Sequence, residues 1–179
     1  MKKIIVTLVL LATAFWSCES DDICDAGTPT TPRIVIEFYN FNNPAQLRPV
    51  TNLKIMVEGV TDGIVLTPIA NPITDRFFFN GTKVQIPLKI NQDTTTFDFI
   101  LNAKAASPIT DRLKITYSRT TEYVSRACGF RTFFNFNNNP NSFVVNNITG
   151  TLSGNWIRDV QILKQNINDE TTTHVKIFF

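Results

Sequence analysis

The sequence predicts an all-β fold, an antiparallel β-sandwich of about eight to ten short strands. Three observations predict it. Beyond Pro32 the apolar residues recur with a period of two rather than 3.6. The alternating runs are short and are separated by Asn, Thr, Pro and Asp, which are turn residues. The 179 residues are 43% hydrophobic and only 18% charged, and 15 of them are Phe. That is core material for one domain and too apolar for a disordered chain.

Each run can be justified in order. In residues 33–39, Ile34, Ile36 and Phe38 share one face. Leu53, Ile55 and Val57 do the same in 53–58. Residues 83–90 alternate most regularly, with Val84, Ile86, Leu88 and Ile90 on one side. Pro87 has no N–H for a ladder, so this run belongs at a sheet edge or a bulge. Phe97, Phe99 and Leu101 alternate next, then Leu113, Ile115 and Tyr117. Residues 131–136 and 142–149 are rich in Phe and Val. Residues 158–165 read as strand through Val160 and Ile162, although Trp156, Val160 and Leu163 also fit a helical stripe. A turn at Asn168, Asp169 and Glu170 precedes the last run, where Val175, Ile177 and Phe179 share a face. The spacing is broadly immunoglobulin-like. Pro-Ile-Thr-Asp-Arg occurs at 72–76 and again at 108–112, each time placed by its composition at the end of a loop before a strand. Residues 134–141 carry five Asn and Pro140 and read as an exposed loop.

The N-terminus reads as an address. Lys2 and Lys3 precede an apolar run from Ile4 to Ala14, the layout of a secretory signal over 1–17. The run is too short to span a bilayer, which needs about 20 apolar residues. Phe15-Trp16-Ser17-Cys18 places a small residue before a Cys and resembles the lipobox of bacterial lipoproteins, in the looser form typical of Bacteroidota. That resemblance makes Cys18 the acylated first residue of the mature chain; the other reading is an ordinary signal peptide that leaves Cys18 a plain thiol. Ser20, Asp21 and Asp22 resemble an acidic tag that exports such lipoproteins to the cell surface, and equally suit a solvated tether over 18–30. The sandwich domain is expected over 31–179.

Charge excludes one class of partner. The chain has 17 Lys+Arg and 15 Asp+Glu, and every acid follows Cys18. Loss of Lys2 and Lys3 leaves 15 of each sign and no net charge. No clustered basic surface for nucleic acid is indicated. With Cys18 acylated, Cys24 and Cys128 remain, an even number for an oxidising compartment, and a Cys24–Cys128 disulfide is expected.

The order of short motifs is also informative. Lipobox, Asp21-Asp22-Ile23-Cys24-Asp25, Thr31-Pro32-Arg33 and Phe38-Tyr39-Asn40 come first. Ile86-Pro87-Leu88, Asp93-Thr94-Thr95, Ile115-Thr116-Tyr117 and the run from Val124 to Phe130 follow. The set resembles a family of small Bacteroidota lipoproteins of unknown function, the domain-of-unknown-function family numbered 6452. The resemblance implies a secreted, lipid-anchored domain with paired cysteines, and it brings no activity, cofactor or catalytic residue. Asp93-Thr94-Thr95 also looks like the O-glycosylation acceptor of that phylum, with Thr94 carrying the sugar, or else a polar hairpin turn.

Catalysis is not expected. His174 is the one histidine and reads as a surface strand residue. No nucleophile elbow, zincin motif or phosphate loop is present. Glu37, Glu58, Asp98 and Glu122 could supply paired carboxylates, but nothing in their placement singles out a pair. No metal site and no cofactor is expected. The leading class is a non-catalytic binding or complex-scaffold module held at the outer membrane, facing the periplasm or the cell surface. Its partner would be an envelope protein, or a glycan met by Tyr39, Trp156 and the Asn-rich loop. The alternatives are an enzyme with an unrecognised site and a small outer-membrane barrel. Phe179 with Val175 and Ile177 resembles a barrel-insertion signal, but barrel strands need about 9–11 residues and most runs here are shorter.

Overall fold

The computed structural model describes residues 23–25, 28, 30–146 and 155–179. The expected signal segment 1–17, Cys18 and the expected export tag Ser20, Asp21 and Asp22 lie outside the described residues, as do 147–149 of the run expected over 142–149. The chain divides into two compact units. One joins the described residues up to Thr30 with Glu122–Arg131; the other is Thr31–Thr121 with Thr132–Phe179.

The larger unit is a β-sandwich. In chain order the strands are β1 (Ile34–Tyr39), β2 (Val50–Val57), β3 (Phe78–Gly81), β4 (Lys83–Ile86), β5 (Thr94–Leu101) and β6 (Ile109–Thr116). There follow β7 (Ser118–Ser125), β8 (Gly129–Asn135), β9 (Phe143–Val145), β10 (Asp159–Ile162), β11 (Asn166–Ile167) and β12 (Val175–Phe178). They form open sheets in the orders β10-β12-β1-β4, β11-β8-β7 and β3-β2-β5-β6-β9. Every described pairing between strands is antiparallel except β1 with β12, which runs parallel from Ile36 opposite Val175 to Tyr39 opposite Phe178.

The period-two pattern becomes burial directly. Phe97 and Phe99 of β5, and Leu113 and Ile115 of β6, are fully buried, while Arg112 and Lys114 face solvent. These side chains meet Ile34, Ile36 and Phe38 of β1 in one core. A Phe-to-Ala change in such a core costs about 3–5 kcal/mol. β1 is an interior strand of its sheet, between β12 and β4, and its Val35, on the opposite face, is also fully buried. Pro87 has the predicted consequence: β4 is a sheet edge and stops at Ile86. The run expected over 83–90 is therefore shorter than its alternation, with Leu88 buried and Ile90 exposed. Past that stop the main chain is held by a ring of hydrogen bonds. The Lys89 N–H donates to Thr95 Oγ1 (2.9 Å), the Tyr117 hydroxyl donates to the Lys89 carbonyl (2.9 Å), and the two side-chain oxygens lie 2.6 Å apart.

The repeated pentapeptide corrects the sequence reading. At 72–76 it forms a 3-10 turn (Ile73–Phe77) before β3, as expected. At 108–112 it does not precede a strand; Ile109 to Arg112 are the first half of β6. Asp75 of the first copy pairs with Lys104 at the surface (2.7 Å), whereas Asp111 of the second is completely buried.

The smaller unit is the tip of the β7–β8 hairpin with the segment that reaches Thr30. The expected Cys24–Cys128 disulfide joins them, with an S–S distance of 2.01 Å. Glu122 and Arg131 form an ion pair at 2.7 Å, and the rings of Tyr123 and Phe130 stack edge to face at 5.3 Å.

Candidate binding cleft

One end of the sandwich gathers chain ends that the sequence separates widely. β1 and β12 run parallel and finish there, β5 finishes there, and β6 and β10 begin there. The loops they leave enclose a cleft of about 530 Å³. Its apolar surface comes from Phe41, Leu101, Ile109, Trp156 and Phe179. Its polar lining residues are Asn42, Asn102, Asn155, Arg48 and Arg158.

Each of these is held in place locally. The Phe41 N–H donates to the Phe179 main-chain oxygen (3.1 Å), and the Phe179 N–H donates to the Tyr39 carbonyl (3.1 Å). Asn42 donates its N–H to Asn40 Oδ1 (2.9 Å), a side-chain turn that fixes the start of the loop. Arg48 donates through Nη1 to the Phe179 oxygen (2.6 Å) and lays its guanidinium 4.3 Å from the centre of the Phe179 ring. Asn102 stands at φ 54°, a left-handed conformation that Asn tolerates, and its N–H donates to the Thr51 carbonyl (3.1 Å). The Arg158 N–H donates to the Phe178 carbonyl (2.8 Å).

The wall of the cleft formed by Asn155 and Trp156, together with the buried Ile157 behind it, is organised by Asp111. Its Oδ1 accepts the Asn155 N–H (2.6 Å) and the Asn146 side-chain amide (2.7 Å). Its Oδ2 accepts the N–H groups of Trp156 and Ile157, both at 2.8 Å. Three of these four donors are consecutive main-chain N–H groups, so one buried carboxylate satisfies a stretch of main chain that has no strand partner. Trp156 then donates its indole N–H to the Phe99 carbonyl (3.1 Å) and packs on Phe179 and Phe38.

Sequence reasoning found part of this. Trp156 does line the cleft, but its body is buried. Tyr39 is occupied elsewhere: its hydroxyl donates to Glu37 (3.0 Å), and Lys176 lies 4.3 Å from its ring centre. The run expected as an exposed loop over 134–141 is only partly one: Phe134 and Asn135 end β8 and Phe134 and Phe136 are buried, while Asn137, Asn138, Pro140 and Asn141 are exposed and Asn137 and Asn138 adopt positive φ. Asp111 and Arg48 were missed. A carboxylate in a Pro-Ile-Thr-Asp-Arg run carries the same local signal as Asp75. Of the carboxylates considered for catalysis, Glu37 pairs with Lys83, Asp98 with Arg112 and Glu122 with Arg131. Thr94 opens β5 half-buried, beside Asp93, whose carboxylate binds Arg119 (2.7 Å).

His174 is not the surface residue expected. It is fully buried, and its Nδ1 accepts the Val35 N–H (3.0 Å) while its main-chain N–H donates to the Val35 carbonyl (3.0 Å). The parallel β1–β12 pair is what brings it there. Burial holds the imidazole pKa below its ordinary value; Asp169 opposes this, Lys164 adds to it and Glu170 opposes it. An unfolded chain therefore takes up this proton near pH 6.5, before the folded one does. The stabilisation is complete above that pH and is lost as pH falls below it. Urea midpoints are expected to be lower at pH 5.5 than at pH 7.5. His174→Asn, which keeps an acceptor near Nδ1 and cannot titrate, is expected to shrink that difference; an unchanged difference would assign it to other groups.

A family model matches residues 64–179, more than half of the chain, and its description is a family of unknown function, DUF6452. The chain belongs to that family. The match covers β3 to β12 and starts after Cys24, β1 and β2, so the resemblance read over nearly the whole mature chain is established for DUF6452 only from Ile64 onward. No curated protein and no solved structure matches the chain.

Proposed function

We propose that this DUF6452 member is a non-catalytic binding module of the cell envelope, anchored in the outer membrane by acyl chains on Cys18. The single observation that carries the binding role is the cleft at the end of the sandwich. Three asparagines and two arginines line it together with Phe41, Trp156 and Phe179. Carboxamides exchange hydrogen bonds with sugar hydroxyls, and guanidinium groups take carboxylates in pairs of parallel bonds. Acidic oligosaccharide is the ligand class this set fits, and Trp156 and Phe179 supply apolar surface for the ring faces. Two further observations support the reading. The Cys24–Cys128 disulfide suits an exported chain. The lone imidazole is engaged with the main chain of Val35, a structural role rather than one in proton transfer.

The anchor and the cleft are tested separately. Cys18→Ser is expected to move the protein from the membrane fraction to the soluble fraction; retention in the membrane would end the anchor reading. Titration calorimetry of the mature protein is expected to detect binding of a trigalacturonate, and weaker binding of neutral maltotriose. Arg158→Ala is expected to weaken the acidic ligand about tenfold, the loss of a charge-assisted pair. Heat from neither sugar would end the glycan reading and leave the scaffold role. Intact mass of the same sample tests glycosylation at Thr94, which predicts an added sugar mass that Thr94→Ala removes.

A further inference from the structure

We propose that the tip of the β7–β8 hairpin rests on the lipid bilayer, with Tyr123, Phe130 and Ile23 as its contact residues. The proposal rests on the acylation of Cys18 and goes beyond it. Tyr123 and Phe130 are cross-strand neighbours, 56% and 68% exposed, and stack on one another rather than on a core. Ile23, beside the disulfide, is 82% exposed. The pattern has two faces: Glu122 and Arg131, one residue away along each strand, form their ion pair on the side opposite the rings. A hairpin end with charge on one side and bare aromatic surface on the other suits the boundary between water and lipid, where Tyr and aromatic rings are favoured.

The covalent path names the occupant. Cys24 lies six positions after Cys18, and an extended chain reaches at most about 20 Å over that length. The disulfide passes the restraint directly to Cys128, which lies two residues from Phe130 and five from Tyr123. A tip leashed this closely meets the bilayer at a high effective concentration, so weak interfacial contacts suffice to keep it there. The bilayer that carries the acyl chains is therefore the surface these side chains meet.

The test uses the mature acylated protein in phosphatidylcholine vesicles, with Phe130→Trp and, separately, Tyr123→Trp. Trp156 is buried, so the added indole is read by difference from the parent protein. Brominated phosphatidylcholine is expected to quench the added fluorescence at least twofold, with a blue shift, in both variants. The unacylated Cys18→Ser form of each is expected to show less quenching in the same vesicles. Mass spectrometry of the sample is read first. An acylated protein whose new indole is unquenched in both variants overturns the proposal while leaving the anchor intact. A protein without acyl mass overturns the anchor and this proposal together.

Discussion

Asp111→Ala is expected to destabilise the protein by about 4 kcal/mol, seen as a large drop in the urea midpoint with little change in slope. The reason is geometric. The carboxylate is fully buried and accepts from the main chain of Asn155, Trp156 and Ile157 and from the Asn146 amide. Alanine leaves those donors without an acceptor, and a buried donor left unpaired costs roughly 1–3 kcal/mol. Relaxation of the segment recovers part of the sum. Asp111→Asn is expected to fall between, because its remaining oxygen still accepts while its NH2 faces other donors. The same sequence supplies a control. Asp75 occupies the matching place in the first pentapeptide and pairs with Lys104 at the surface, so Asp75→Ala is expected to cost under about 1 kcal/mol. Equal losses in the two variants would refute the burial argument. Because Asp111 holds the wall of the cleft, its loss is also expected to weaken any ligand bound there.

Opening the disulfide is expected to lower stability by about 3 kcal/mol, measured as the difference between the parent and a Cys24→Ser, Cys128→Ser double variant in denaturant. The bridge spans a sequence separation of 104 residues. Constraining so long a loop in the unfolded chain is worth on the order of 4–5 kcal/mol in the chain-entropy account. The native state returns some of this. The segment from Cys24 to Thr30 gains conformational freedom once cut loose, so the folded protein also gains entropy. A double variant as stable as the parent would show that this freedom cancels the whole effect.

Much of the fold was legible before any coordinates. Alternation reports burial because successive side chains of a strand face opposite ways, and β5 and β6 follow it residue by residue. Proline at position 87 limited β4 because it lacks a donor. The cysteine pair followed from the even count left after Cys18 is set aside. Other features had no local signal. His174 sits among Thr173, Val175 and Lys176 in a run that reads as surface strand, and only its place opposite Val35 buries it. The short β11 strand at Asn166–Ile167 exists because β8 offers it an edge.

The sequence by itself determined the all-β class, the apolar faces of most strands and the paired cysteines, since each depends on residue type and on spacing over a few positions, whereas β3, β7 and β11 were not legible in it. Only the tertiary structure decided which strands are neighbours, that β1 and β12 run parallel, and which of two identical pentapeptides becomes a turn and which a strand. It also decided that Asp111 would be the buried anchor of one wall of the cleft. The physical reason is range. Asp111 and its main-chain partners lie 44 to 46 residues apart, and no local pattern records a contact that exists only once the sheets have closed on their core.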